Sequence, residues 1–345
     1  MNKRIGFIDI AKGIGILLVV LAHNDLEAYA PFLHKVIYSF HMPLFFFLSG
    51  MFFRPETPFW QLIRKRFDSL LKPYFFTLFF IYFAEIFFGK TMGFSTALLR
   101  IEKSFYANGF TIDWVAMWFL PALFTMNLVA FVFYRFLSTA PAWARWLALT
   151  AMLIIGLLTL SAFMPFTLPV FGKTLTLNGL PWSIDLALVA GFFFILGREA
   201  NATLPEKFYA SPWVLLATAA LALTLLILSP ATIDLNTRLW ESPLINTIEA
   251  LAGIVFVLAL SSQMERAPAW LGNFFRYMGR ISIILLIFHN PVQSYLTPKF
   301  DAMFGVHPLN ALLAYPFAIL VPVIIAEVFI RPNPLLAKIY GVKSK

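Results

Sequence analysis

Apolar runs long enough to cross a lipid bilayer recur along the whole chain, and no other feature restricts the fold as much. A spanning helix takes about 20 mostly apolar residues. Ten segments meet or approach that length: 5–24, 36–53, 73–89, 113–134, 143–161, 182–197, 212–229, 244–262, 280–296 and 309–330. In lipid the backbone must satisfy its own polar groups, so these runs are read as helices. Only 12% of the 345 residues are charged while 60% are hydrophobic, which leaves too few polar side chains to cover a soluble domain of this size. The mean hydropathy of +0.81 agrees. The expected fold class is an all-α polytopic membrane protein with about ten transmembrane helices, forming a single integral membrane domain over 1–345. Lys3 and Arg4 followed by an apolar run superficially resemble a signal peptide. Asp9 and Lys12 interrupt the approach, and no small-x-small cleavage site follows, so the segment is expected to remain as the first span.

Charge sets the expected orientation. With the N-terminus inside, 19 of the 26 Lys and Arg residues fall on the inner side and 7 on the outer. This is the bias that cytoplasmic loops carry, and it puts both termini in the cytoplasm. The net charge of +9 is therefore a topological signal, and no nucleic-acid partner is expected. The expected location is the bacterial cytoplasmic (inner) membrane, with membrane lipids as neighbours. The chain has no cysteine, which excludes a disulfide, a thiol nucleophile and a thiolate metal site.

Polar groups inside a membrane are costly, so they are the functional candidates. The first segment carries Asp9, Lys12 and His23. Lys12 and His23 are eleven residues apart, about three turns plus 20°, so they share one face and are separated by roughly 16 Å along the axis. Asp9 precedes Lys12 by three residues and is placed to pair with it. His41 and His289 are expected at a depth similar to His23, beside which Asn24 follows. The histidine spacing is scattered, with no His-x-x-x-His pair beside a carboxylate, so no metal is expected. Asp113, Asp185 and Glu249 fall on or below the outer side, where they suit an acceptor pocket; each also suits a helix cap or a structural ion pair.

The loop containing Arg54, Arg64, Lys65, Arg66 and Lys72 suits contact with anionic lipid heads and equally a clamp for donor phosphates. Gly13-x-Gly15 lacks the strand and third glycine of a dinucleotide fingerprint and instead suits close helix packing. Two short internal echoes exist: LVVLAHN (18–24) with LLIFHN (285–290), and FFFLSGMFFR (45–54) with FFFILGR (192–198).

Six stretches in order resemble the acyltransferase-3 family of membrane proteins, in particular its fucose 4-O-acetylase-like branch. They are RIGFIDIAKGIGILLVVLAH, FHMPLFFFLSGMFFR, the basic loop ending KPYFF, MWFLPALF, LPWSIDLALVAGFFFILGRE and MGRISIILLIFHNP. The resemblance implies that His23 is the essential histidine and Lys12 its basic partner, where many relatives carry Arg. Arg66 matches the first basic residue of the family's Arg-x-x-Arg motif. Ser69 stands in the second place, leaving Arg64, Lys65 or Lys72 to substitute as donor contacts. The implied donor is acyl-CoA, acetyl-CoA foremost, as co-substrate. The implied acceptor is a carbohydrate or lipid-linked glycan, giving polysaccharide O-acetylation. Acyl transfer from a thioester to a hydroxyl needs a base near neutral pH, and His23 supplies an imidazole with an ordinary pKa of about 6.5. The alternative reading is a polytopic transporter or flippase for a sugar or lipid-linked sugar; no clear inverted repeat supports it.

Overall fold

The computed structural model describes residues 6–88, 94–170 and 173–344. Lys3, Arg4, Lys90 and Lys345 of the charge count lie outside the described residues. Those described form an assembly of helices, in which the only strands are two short antiparallel hairpins, β1 (Phe166–Val170) with β2 (Lys173–Leu177) and β3 (Ile233–Asp234) with β4 (Leu239–Trp240).

Helix lies within every one of the ten expected segments, but the segments differ in length. Five helices are long and apolar enough to cross a membrane: Phe59–Phe88, Val115–Leu137, Ala142–Phe163, Pro243–Met264 and Leu309–Ile330. A sixth candidate is the pair Ala269–Arg280 and Ser282–Phe304, which bends by 78° at its break. Three further helices, α1 (Gly6–Ala22), Ala187–Thr203 and Pro212–Leu228, have 17 residues each. At 1.5 Å per residue that is about 26 Å, slightly short of a hydrocarbon core of about 30 Å.

Two breaks depart from the expected segments. The run 36–53 divides into Pro31–Tyr38 and α2 (His41–Gly50). Pro43 explains the second start: proline lacks an N–H and is tolerated in the first turn, where that donor has no partner, so a helix beginning at His41 accommodates it. The run 182–197 begins as a tight 3₁₀ segment, Pro181–Leu186, with Trp182 and Ser183 at positive φ, before the regular helix starts at Ala187. The loop expected after residue 89 contains a helix, Phe94–Tyr106. Its Arg100 pairs with Glu85 at 2.6 Å and with Asp113 at 3.4 Å.

The first helix is the hub. It packs against α2, Pro243–Met264, Ser282–Phe304 and, most extensively, Ala269–Arg280. In lipid, apolar burial between helices gains little, so van der Waals fit carries association. Glycine provides that fit here. A Cβ on Gly13 would stand 2.0 Å from the Phe275 carbonyl oxygen, and one on Gly279 would stand 2.0 Å from that of Asp9. The same device joins α2 to Ala187–Thr203: a Cβ on Gly50 would meet the Phe194 carbonyl oxygen, and one on Gly197 would stand 2.0 Å from that of Phe47. A helical glycine costs about 1 kcal/mol relative to alanine. No side-chain rotation moves a backbone carbonyl away, so alanine at these positions would force the helices apart.

Candidate active site

One cavity of about 350 Å³ gathers Lys12, His23, Arg66 and Ser69. Five stretches of chain build it, one of them the start of Ser282–Phe304 with Ser282, Ile283 and Leu286. The first helix provides Lys12, Ile16, Val19 and, one residue beyond its end, His23; these share one face, as the eleven-residue spacing requires. The α2 helix adds Met42, Phe45 and Ser49, and Phe52 follows in the turn after it. The long helix Phe59–Phe88 contributes Arg66, Ser69 and Leu70 around a π-bulge over Phe67–Leu71. Such single-turn bulges add a residue to the helix and re-aim its side chains, and they recur at functional sites. Val115–Leu137 closes the wall with Trp118, Phe119, Leu123 and Asn127.

His23 is fixed by its own helix. Its Nδ1–H donates to the Val19 carbonyl oxygen at 2.8 Å, and the His23 backbone N–H donates to the same oxygen at 3.2 Å. A carbonyl only accepts, so Nδ1 carries the proton and Nε2 keeps the lone pair. That tautomer is the one a general base needs.

The two cations hold different positions. Lys12 Nζ lies 4.8 Å from the centroid of the Phe52 ring, a cation–π distance. The Nε of Arg66 is buried and has no hydrogen-bond partner among the described residues. A buried guanidinium N–H without an acceptor suits an anionic guest. Phe52 also lines a second, larger depression whose walls hold Arg54, Lys65 and Arg198 beside Glu56, Glu206 and Glu265, so one aromatic ring borders both this vestibule of mixed charge and the cavity.

The other residues singled out from sequence are not in this cavity's lining. Asp9 is buried on the first helix, with its Oδ2 3.7 Å from Arg280 Nε. Asn24 is buried, and its oxygen accepts from the Tyr29 hydroxyl at 2.8 Å. His41 is buried with Nδ1 on the Ile37 carbonyl oxygen at 2.9 Å. His289 is fully buried and packs on His23. Asp185 forms a buried two-pronged ion pair with Arg238, at 2.6 and 3.0 Å. Asp113 pairs with Arg100, and Glu249 accepts from the Asn246 amide at 2.8 Å. In the basic loop Arg64 is exposed, and Lys72 pairs with Asp68 at 3.1 Å. Of the four loop cations expected to meet the donor, the cavity takes Arg66 and the vestibule takes Lys65.

Asn127 is a residue that sequence reading missed. It lines the cavity, its amide N–H donates to the Leu123 carbonyl oxygen at 2.8 Å, and its buried Oδ1 has no partner among the described residues. The signal was present: a lone amide in the middle of an apolar span.

Comparison with known families gives one match. The acyltransferase-3 family model, described as an acyltransferase domain, matches residues 5–330. No curated protein and no solved structure gives a significant match.

Proposed function

Because this chain belongs to the acyltransferase-3 family and is thereby a membrane acyltransferase, we propose that it moves an acetyl group from acetyl-CoA to a hydroxyl of a sugar or lipid-linked glycan, with His23 as general base. The family match makes the chain an enzyme; the donor, acceptor and base are the finer reading. One observation carries it: Lys12, His23 and Arg66 line a single cavity.

In this reading the donor's 3′-phosphate lies among Lys65, Arg54 and Arg198 in the vestibule, and the diphosphate with its pantetheine arm passes Phe52 into the cavity. Lys12 and Arg66 hold the anionic end of that arm, and the free Oδ1 of Asn127 accepts from one of its amide N–H groups. His23 Nε2 takes the proton of the acceptor hydroxyl as the oxygen attacks the thioester carbonyl. The C–S bond then breaks, CoA leaves as thiol or thiolate, and the imidazolium returns its proton to the thiolate. The reading also carries ten spans, cytoplasmic termini, a bacterial inner-membrane location and membership of the fucose 4-O-acetylase-like branch. Lys12 then faces the cytoplasm and His23 lies toward the far side.

The test is direct. Purified protein is incubated with acetyl-CoA and a glycan extract, and released CoA and acetylated product are measured. Acetyl transfer that depends on protein and on His23 supports the reading. Absence of CoA release across the acceptors, with acetyl-CoA binding also absent, rejects it.

A further inference from the structure

His23 lines a second cavity, and its walls hold no residue assigned above. This distal cavity, of about 450 Å³, lies past the end of the first helix and is bounded by Asp25, Glu27, Ala28, His34 and Tyr38. Its volume falls within the usual range for small-ligand sites, about 300–1,000 Å³. The imidazole of His23 is thus common to the cavity holding Lys12 and Arg66 and to one of opposite electrostatic character.

The chain builds the distal cavity from a sharp turn. Asp25 takes a left-handed backbone conformation at φ 58°, which ends the run of the first helix and starts the short turn Leu26–Tyr29. Asp25 and Glu27 are exposed along this turn. Pro31–Tyr38 then returns along the cavity, with the His34 and Tyr38 rings 4.0 Å apart between centroids. Burial pushes the His34 imidazole below its ordinary pKa, against the opposing pull of Glu27 and Asp234. His34 is therefore neutral near pH 7 and offers one donor and one acceptor. The neighbouring cation, Lys35, is turned away: its ammonium donates to the Leu226 and Ser229 carbonyl oxygens.

We propose that this distal cavity is the acceptor subsite, and that Asp25 and Glu27 select neutral or amino sugars against carboxylated ones. The proposal rests on the acyltransferase reading. Carboxylates accept paired hydrogen bonds from adjacent sugar hydroxyls and attract an ammonium, whereas a uronate brought beside them meets like charge. The aromatic pair His34 and Tyr38 offers an apolar wall to the ring face of a sugar. A hydroxyl held here is beside His23, while the thioester approaches the same imidazole from the other cavity.

The experiment uses the full chain in detergent, with methyl β-D-glucopyranoside, methyl β-D-glucosaminide and methyl β-D-glucuronide as probes. Saturation-transfer NMR reads their binding without requiring turnover. The first two probes should bind at least about tenfold more tightly than the glucuronide, the scale of a charge-assisted hydrogen bond. In the double variant Asp25→Asn/Glu27→Gln that preference should fall below about threefold, while the affinity for acetyl-CoA moves by less than about twofold. Since the chain has no native cysteine, Ala28→Cys gives a selective plug. A bulky maleimide on it should remove sugar binding, and the unmodified variant should keep it. Sugar binding that survives the plug, an unchanged preference in the double variant, or no binding of any probe overturns the subsite. CoA release is measured in parallel. Plug-sensitive sugar binding without CoA release from acetyl-CoA overturns acetyl-CoA as the donor and leaves the sugar subsite standing. Sugar-stimulated CoA release that the plug does not reduce overturns the subsite alone.

Discussion

The rings of His23 and His289 stand edge to face, with centroids 5.2 Å apart and planes at 75°. Both anchor Nδ1 on the carbonyl oxygen four residues earlier, Val19 for one and Leu285 for the other. His289 is fully buried, and its Nε2 has no partner among the described residues. It therefore braces the base. An edge-to-face aromatic contact contributes about 0.5–1.5 kcal/mol, which corresponds to roughly twofold to thirteenfold in rate. His289→Ala should lower kcat by that factor, with the KM for acetyl-CoA within about twofold. His289→Phe keeps the contact and should retain most of the rate. Equal losses in the two variants would show that the ring nitrogen matters instead.

Loss of the base itself should be larger. His23→Ala is expected to reduce acetyl transfer by about 10²–10⁴-fold while expression and membrane insertion stay normal. CoA release, read with a thiol reagent, and membrane fractionation check the two parts. Near-normal turnover would remove His23 from the chemistry.

The cations of the cavity should act on the donor. Lys12→Ala is expected to raise the KM for acetyl-CoA about tenfold, as for a lost contact to a charged group. Lys12→Arg should keep substantial function, because guanidinium binds phosphate at least as well. Arg66→Ala should raise the same KM more than Ser69→Ala does, and Asn127→Leu should raise it less than Arg66→Ala. Steady-state kinetics at saturating acceptor measure all of these. An unchanged donor KM in both Lys12→Ala and Arg66→Ala would leave these residues with a structural role only.

Helix contact can be tested without any substrate. Gly50→Val and Gly197→Val each place side-chain carbon onto a backbone carbonyl. Overpacking typically costs 1–3 kcal/mol, so the melting temperature in detergent should fall in either variant. The two sites belong to one contact, so the double variant should lose less than the sum. Additive losses would mean that the helices yield independently.

The expected orientation predicts where an impermeant thiol reagent reacts. Ala28→Cys, on the turn Leu26–Tyr29 past the first helix, should label from the periplasmic side of oriented vesicles, and Arg64→Cys from the cytoplasmic side. Labelling of both from one side would refute transfer across the membrane.

The line from Lys12 to His23 was legible in sequence because helical periodicity alone sets which face two residues share. Arg66 was legible only through a motif, and its unpaired Nε only in the fold. Asn127, Ser49 and Trp118 were not foreseen as cavity residues, since a cavity wall is made by several helices and no single run encodes it. Segment limits were read well where a helix is unbroken, as in 309–330. They failed at Ser39–Phe40 and at Trp182–Ser183, because an apolar sequence stays apolar through a break when lipid or protein covers it. The Phe94–Tyr106 helix was missed for the opposite reason: its charges, Arg100 among them, made it look like loop. The two sequence echoes coincide with contacts, His23 on His289, and Gly50 on Phe194 with Gly197 on Phe47.

Those reciprocal glycine contacts also bear on heredity. Every single-base change of a glycine codon that alters the residue either stops the chain or adds a Cβ. At Gly13, Gly279, Gly50 and Gly197 each such Cβ points at main-chain atoms of the neighbouring helix. These four positions should therefore be among the least tolerant in a saturation library selected for folded protein. Apolar lipid-facing neighbours such as Phe83 and Leu158 should exchange freely with other apolar residues.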